Sequence, residues 1–156
     1  MLLLNNLQQL CIEKGVSVAV AESCTAGLIA SKLTSLPGSS SFIKGGVVAY
    51  QNEIKTKILG VSQSIIDEKT EVSAEVVKQM AKSVMEKFDG DFAIATSGYA
   101  GPAGGTNKNP IGTVFIAITS VAGVVVSRFI FSGNRQSIVN QASEIALDLL
   151  YTKIKK

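Results

Sequence analysis

Residues 16–33 read VSVAVAESCTAGLIASKL. The first six alternate valine with small residues, the pattern of a buried strand. From 24 to 35 the apolar residues Leu28, Ile29 and Leu33 return at helical spacing, and Pro37-Gly38 breaks the run. A buried strand that turns straight into a helix is the opening unit of a sheet covered by helices. The turn carries three side-chain nucleophiles in a row, Ser23, Cys24 and Thr25.

The flanking chain repeats the pattern. Leu3, Leu7, Leu10 and Cys11 predict a helix over 2–14, stopped by Gly15. Residues 42–50, with the core GGVVAY, predict a second strand, and 52–59 a short helix ended by Gly60. Residues 61–72 are polar and read as irregular. Ser73 is placed to cap a helix whose face is Val77, Met80, Ala81, Val84 and Phe88. Residues 92–96 are a short apolar strand, and 97–110 a loop rich in Gly, Pro, Ala and Asn. Two β-rich runs, 112–119 and 123–131, meet at Ser120-Val121-Ala122 as a hairpin. Asn134 can cap a last helix carrying Ile138, Ala142, Ile145 and Leu149. Alternating helices and strands imply a sheet covered on both faces, and the late hairpin makes it mixed. The expectation is a single three-layer α/β/α domain over 1–156, with no linker and no internal repeat.

Composition narrows the function. Hydrophobic residues make up 46% of the chain and charged ones 17%, a globular balance. A net charge of +3 is too small to argue for nucleic acid, and no window is long and apolar enough for a membrane span. The two cysteines, Cys11 and Cys24, without a secretory signal, read as free thiols in a reducing compartment, so a cytoplasmic location is expected. The chain contains no histidine. That excludes a Ser-His-Asp triad, a Cys-His dyad and a His-ligated zinc site within it. Any base must be Lys, Tyr, Asp, Glu or water. Neither a metal nor a cofactor is expected.

Ligands of such sheets bind where strands lead into helices. Three loops qualify, 22–27, 50–55 and 97–106. Ser23 stands where free helix N–H groups would favour an oxyanion or a phosphate. It is equally readable as a plain N-cap, with Cys24 as buried filler. Lys55 can be a base if burial lowers its pKa, with Tyr50 relaying the proton. The plain alternative is a solvated lysine beside a packed tyrosine. The stretch SGYAGPAGGTNKNPIG, residues 97–112, is glycine-rich but matches neither G-x-G-x-x-G nor the G-K-[ST] phosphate loop. Arg135, in SGNR, can grip a phosphate or carboxylate, or can be an ordinary first-turn arginine.

Taken together, AESCTAGLIASKLTSLPGSSSFIKGGVVAYQNEIK, SGYAGPAGGTNKNPIGTVFIAI and FSGNR resemble the CinA C-terminal domain family from about residue 3 to residue 151. Its stand-alone members look like this chain in size, and larger ones carry a further N-terminal domain. The family is associated with nicotinamide mononucleotide (NMN) deamidase activity. The resemblance implies Ser23 as nucleophile, assisted by Tyr50 and Lys55, with Ser97 and Arg135 contributing to the site. It implies an oxyanion held by N–H groups near Cys24 and Thr25. The ribose phosphate would be held by the glycine loop (Gly98, Gly101, Gly104, Gly105 and Thr106), by Ser39 or Ser40, and by Arg135. A homodimer is expected. Two positions depart from the family pattern. Ala26 replaces the first glycine of C-T-G-G, where a methyl should fit within a helix, and Tyr99 replaces the isoleucine of G-I-A-G-P, beside the pocket. Two alternatives stay open, an amidase of other specificity and a non-catalytic pyridine-nucleotide-binding domain.

Overall fold

The valine–alanine alternation becomes the second strand of a five-stranded sheet. The structure, a computed structural model, describes residues 1–156. Strand β1 (Val18–Glu22) is buried along its whole length. It runs parallel to β2 (Ile43–Val48) on one side and to β3 (Phe92–Gly98) on the other. Strands β4 (Thr113–Ser120) and β5 (Gly123–Ile130) continue from β3 as an antiparallel hairpin. The order is β2-β1-β3-β4-β5, so the sheet is mixed, as the late hairpin implies.

Strand side chains point alternately to the two faces, and the two faces are unlike. Val18, Val20, Ile94, Ile116 and Ile118 pack with α1 (Leu2–Lys14), α2 (Leu28–Leu33) and α6 (Arg135–Lys155). Ala19, Ala21, Ala93, Ala95 and Ala117 face the other way, against α5 (Ala74–Lys87). Alanines on that face let α5 come close, and the helix supplies the bulk through Val76, Val77, Met80 and Val84. Each large side chain so buried contributes about 1.5–3 kcal/mol. Ser73 caps α5 by accepting from the Val76 amide at 3.3 Å, and Asn134 caps α6 by accepting from Ser137 at 2.9 Å. No helix is long and apolar enough to cross a membrane.

The chain leaves β1 for one neighbour and returns over it to the other. Strand order therefore reverses between β1 and β3, and a crevice opens beyond their carboxyl ends. Glu22 lies opposite Thr96 in that register, so Ser23 and Ser97 arrive at the crevice together. The antiparallel pair brings Thr113 and Ile130 to the same end.

Two expectations need correction. The helix expected over 24–35 begins at Leu28, because Ala26 (φ 50°) and Gly27 (φ 95°) take left-handed conformations that no right-handed helix contains. The stretch 61–72, expected to be irregular, contains α4 (Gln63–Lys69). Only Ile66 of that short helix is buried, so its polar composition hid it. Between β2 and α4 lies α3 (Asn52–Lys57).

Ala26 is exposed, and its methyl sits on strained backbone rather than within a helix. Ala26→Gly is therefore expected to raise the unfolding free energy by about 1 kcal/mol, the cost of a left-handed non-glycine residue. Urea unfolding of both forms measures it, and a loss of stability would contradict the assignment of strain.

Candidate active site

The turn after β1 is built around a buried carboxylate. Glu22, 0% exposed, closes the strand. Its Oε2 accepts from the Gly27 and Ile29 amides at 3.1 Å each, and its Oε1 from Ala30 at 2.8 Å. The amides that open α2 are thus satisfied internally. This corrects the expectation that Ser23 stands at the free N-terminus of a helix. The chain instead spends residues 23–27 on a turn, held by Ser23 N donating to Thr96 O at 3.0 Å and by Ala26 N donating to Ser23 O at 3.1 Å. Below it, the Thr25 and Thr96 hydroxyls share a hydrogen bond of 2.8 Å.

That turn leaves useful groups unspent. The Ser23 hydroxyl has no hydrogen-bond partner in the chain, and the Cys24 and Thr25 amides donate to no other residue. Ser23 is 7% exposed, with its opening toward the cavity. Burial pushes the Cys24 thiol up to about 12, so it stays protonated near neutral pH.

Lys55 reaches the same place from α3. The Ala49 amide donates to Glu22 O at 2.8 Å, which holds the end of β2 beside the Ser23 turn. Lys55 is only 1% exposed, and its Nζ donates to Tyr50 O at 3.2 Å. Burial lowers its pKa below 10.5, partly offset by Glu71 and Cys24. No carboxylate stands within ion-pair distance of it; the chain's ion pairs are Lys32–Glu144, Lys57–Glu53 and Lys69–Glu68.

Arg135, the first residue of α6, clasps the mouth. Its guanidinium donates to Gly101 O at 2.7 Å and to the Tyr50 hydroxyl at 2.5 Å. Tyr50 is 50% exposed, and it meets Lys55 through its carbonyl rather than its phenol. Ser97 is buried and donates to Glu71 O at 2.7 Å, so its hydroxyl anchors the segment before α5. Gly98 has to lack a side chain, since a Cβ there would stand 2.6 Å from Thr113 O.

These groups line a cavity of about 400 Å³. Of the expected residues it gathers Ser23, Cys24, Tyr50, Lys55, Ser97, Gly98, Gly101 and Arg135. Thr25 lies beneath it. Ser39 and Ser40 are not brought in. They form a 3-10 turn ahead of β2, next to Phe42, whose carbonyl accepts from the first residue of β1, at the opposite end of the sheet. Gly104, Gly105 and Thr106 also fall outside. Gly104 packs on the Tyr99 ring and Gly105 against Ile111, while Thr106 Oγ1 accepts from Asn109 N at 2.9 Å. They shape the loop and do not line the cavity. Sequence reasoning passed over Gln51, Asn52, Glu71 and Val72, which line it. Glu71 and Val72 come from the stretch read as irregular, and nothing in their spacing ties them to Ser23. No three His, Cys, Asp or Glu side chains cluster closely enough to hold a metal ion.

A family model described as CinA C-terminal domain matches residues 2–154. A CinA-like protein of Desulfotalea psychrophila is 44% identical over 142 residues, 91% of this chain and 34% of that relative. One of Flavobacterium psychrophilum is 43% identical over 150 residues, 96% of this chain and 36% of that relative. The chain thus spans about a third of the length of the curated relatives it matches. Among solved structures, a CinA-superfamily protein of Klebsiella pneumoniae superposes with a TM-score of 0.94 at 32% identity, covering 98% of this chain and 96% of that one. Another, of Escherichia coli, gives 0.92 at 34% identity, covering 96% and 88%.

Proposed function

The chain belongs to the CinA C-terminal domain family, and from that premise and the cavity's chemistry we propose that it is an amidohydrolase converting NMN to nicotinic acid mononucleotide and ammonia. One observation carries the reading. An unpartnered serine hydroxyl and a buried lysine without a carboxylate partner share one cavity, in a chain that has no histidine.

A serine paired with a lysine of lowered pKa is a known way to activate a nucleophile. Ser23 Oγ attacks the carboxamide carbon, and its proton passes to the neutral Lys55 amine. The carbonyl oxygen becomes an oxyanion, met by the free Cys24 and Thr25 amides. Lys55 returns the proton to the leaving nitrogen, the C–N bond breaks and ammonia departs. Water then attacks the Ser23 ester, giving its proton to Lys55, and the carboxylate product leaves as Ser23 recovers its own. Tyr50 holds Lys55 through its carbonyl. The Arg135 guanidinium, whose two partners are neutral oxygens, takes the phosphate at the mouth.

The base works in its neutral form. Turnover is therefore expected to rise with pH as Lys55 loses its proton, and to level off at an inflection below 10.5, the ordinary value for a lysine. A flat profile of kcat/KM from about pH 6 to 10 would speak against Lys55 as the base.

The test of the activity is to incubate the purified chain with NMN in EDTA and quantify ammonia and nicotinic acid mononucleotide. One ammonia per acid formed is expected. Neither product would overturn the reading, and tight binding of NMN without turnover would leave a binding domain.

A further inference from the structure

Among the cavity side chains with no part in the serine chemistry are Glu71 and Tyr99. Glu71 follows α4, in a segment whose backbone is pinned from below. Ser97 Oγ donates to Glu71 O at 2.7 Å, and Asn109 Nδ2 donates to Val72 O at 3.3 Å. Glu71 is half-buried as a residue, and its carboxylate accepts no hydrogen bond and forms no ion pair. Lys55 is the cation on that side of the cavity and feels the charge of Glu71, but it stands beyond ion-pair distance and its own charged form is disfavoured by burial. A carboxylate held in a concave site without a partner favours a cation there. Tyr99 is also half-buried, with one part of its ring against Gly104. An aromatic face and a carboxylate together suit a flat ring that carries positive charge.

We infer that Glu71 and Tyr99 form a subsite for a cationic aromatic ring, so that the cavity selects an N-alkylated pyridinium over an uncharged ring of the same shape. The inference rests on the amidase reading, which brings the ring's carboxamide to Ser23. It makes the cavity bipolar. Glu71 answers the ring, and Arg135 answers the phosphate, neither held in an ion pair within the chain.

The experiment uses Ser23→Ala, which binds without turning over, and calorimetry with two ligands. One is NMN. The other is its 1,4-dihydro form, which keeps the carboxamide, ribose and phosphate but has an uncharged ring. NMN is expected to bind roughly tenfold tighter or more, the scale of one partly desolvated charge contact. Adding Glu71→Gln should remove most of that preference by weakening NMN alone, and adding Tyr99→Leu should remove part of it. Equal affinity for the two ligands in Ser23→Ala overturns the inference, and so does a Glu71→Gln effect that weakens both alike. If Glu71→Gln does not fold, the two-ligand comparison in Ser23→Ala still decides. Ammonia release from NMN without ring-charge preference sinks this inference and leaves the amidase reading standing. Preference without ammonia release does the reverse.

Discussion

Ser23→Ala lowers ammonia release from NMN by at least about 10³-fold, while Cys24→Ala stays within a few fold of the parent chain. Removing a catalytic serine typically leaves only what binding and the oxyanion donors provide. The contrast between neighbours is the informative part, because both line the cavity. A thiol pushed up to about 12 by burial is almost wholly protonated near neutral pH, and the thiolate is the reactive form. A serine hydroxyl needs no standing anion if a base takes its proton during attack. Steady-state rates of the two variants, with NMN affinity measured alongside, check the assignment. Loss of turnover in Cys24→Ala with Ser23→Ala active would place the nucleophile one residue on.

Lys55→Met is expected to do two opposite things. Turnover falls by about 10³-fold or more, because the group that takes the serine's proton is gone. Stability rises by about 1 kcal/mol, seen as a Tm increase of roughly 2–4 °C. The methionine fills a similar volume, with no charge to desolvate at a position 1% exposed. The Tyr50 carbonyl loses its lysine donor, but Tyr50 is half-exposed and water replaces the bond. The sign with pH follows from linkage. The folded-state pKa of Lys55 is lowered, so between it and 10.5 the unfolded chain binds more protons. The parent chain gains stability as pH rises through that window, and the advantage of Lys55→Met shrinks in step. Thermal unfolding of both forms at several pH values measures this. A loss of several kcal/mol in Lys55→Met would mean that the lysine holds the fold as well as the chemistry.

Much of the fold was legible because local signals agree with it. The valine–alanine alternation of β1, the Ser73 and Asn134 caps and the late β-rich pair all have short-range causes. The start of α2 was not legible, because a carboxylate outside the helix takes its opening amides. Nothing in the periodicity of 24–35 reveals such a partner. The same holds for the site. Ser23 and Lys55 stand out by type and by position after strands. Glu71 does not, since its place in the cavity depends on how α4 and α5 fold back over β1. Ser39 and Ser40 show the converse error. They sit in a serine-rich turn that suits a phosphate, yet the parallel pairing of β2 with β1 puts the start of β2 at the far end of the sheet.

The most direct measurement of the central claim is turnover of NMN in the presence of hydroxylamine. A Ser23 acyl-enzyme is open to any small nucleophile that reaches the cavity. The account predicts that the hydroxamate of nicotinic acid mononucleotide forms at the expense of the free acid, with ammonia still released once per turnover. Free acid alone, whatever the hydroxylamine concentration, would mean that water attacks the amide directly, and it would contradict a covalent serine mechanism.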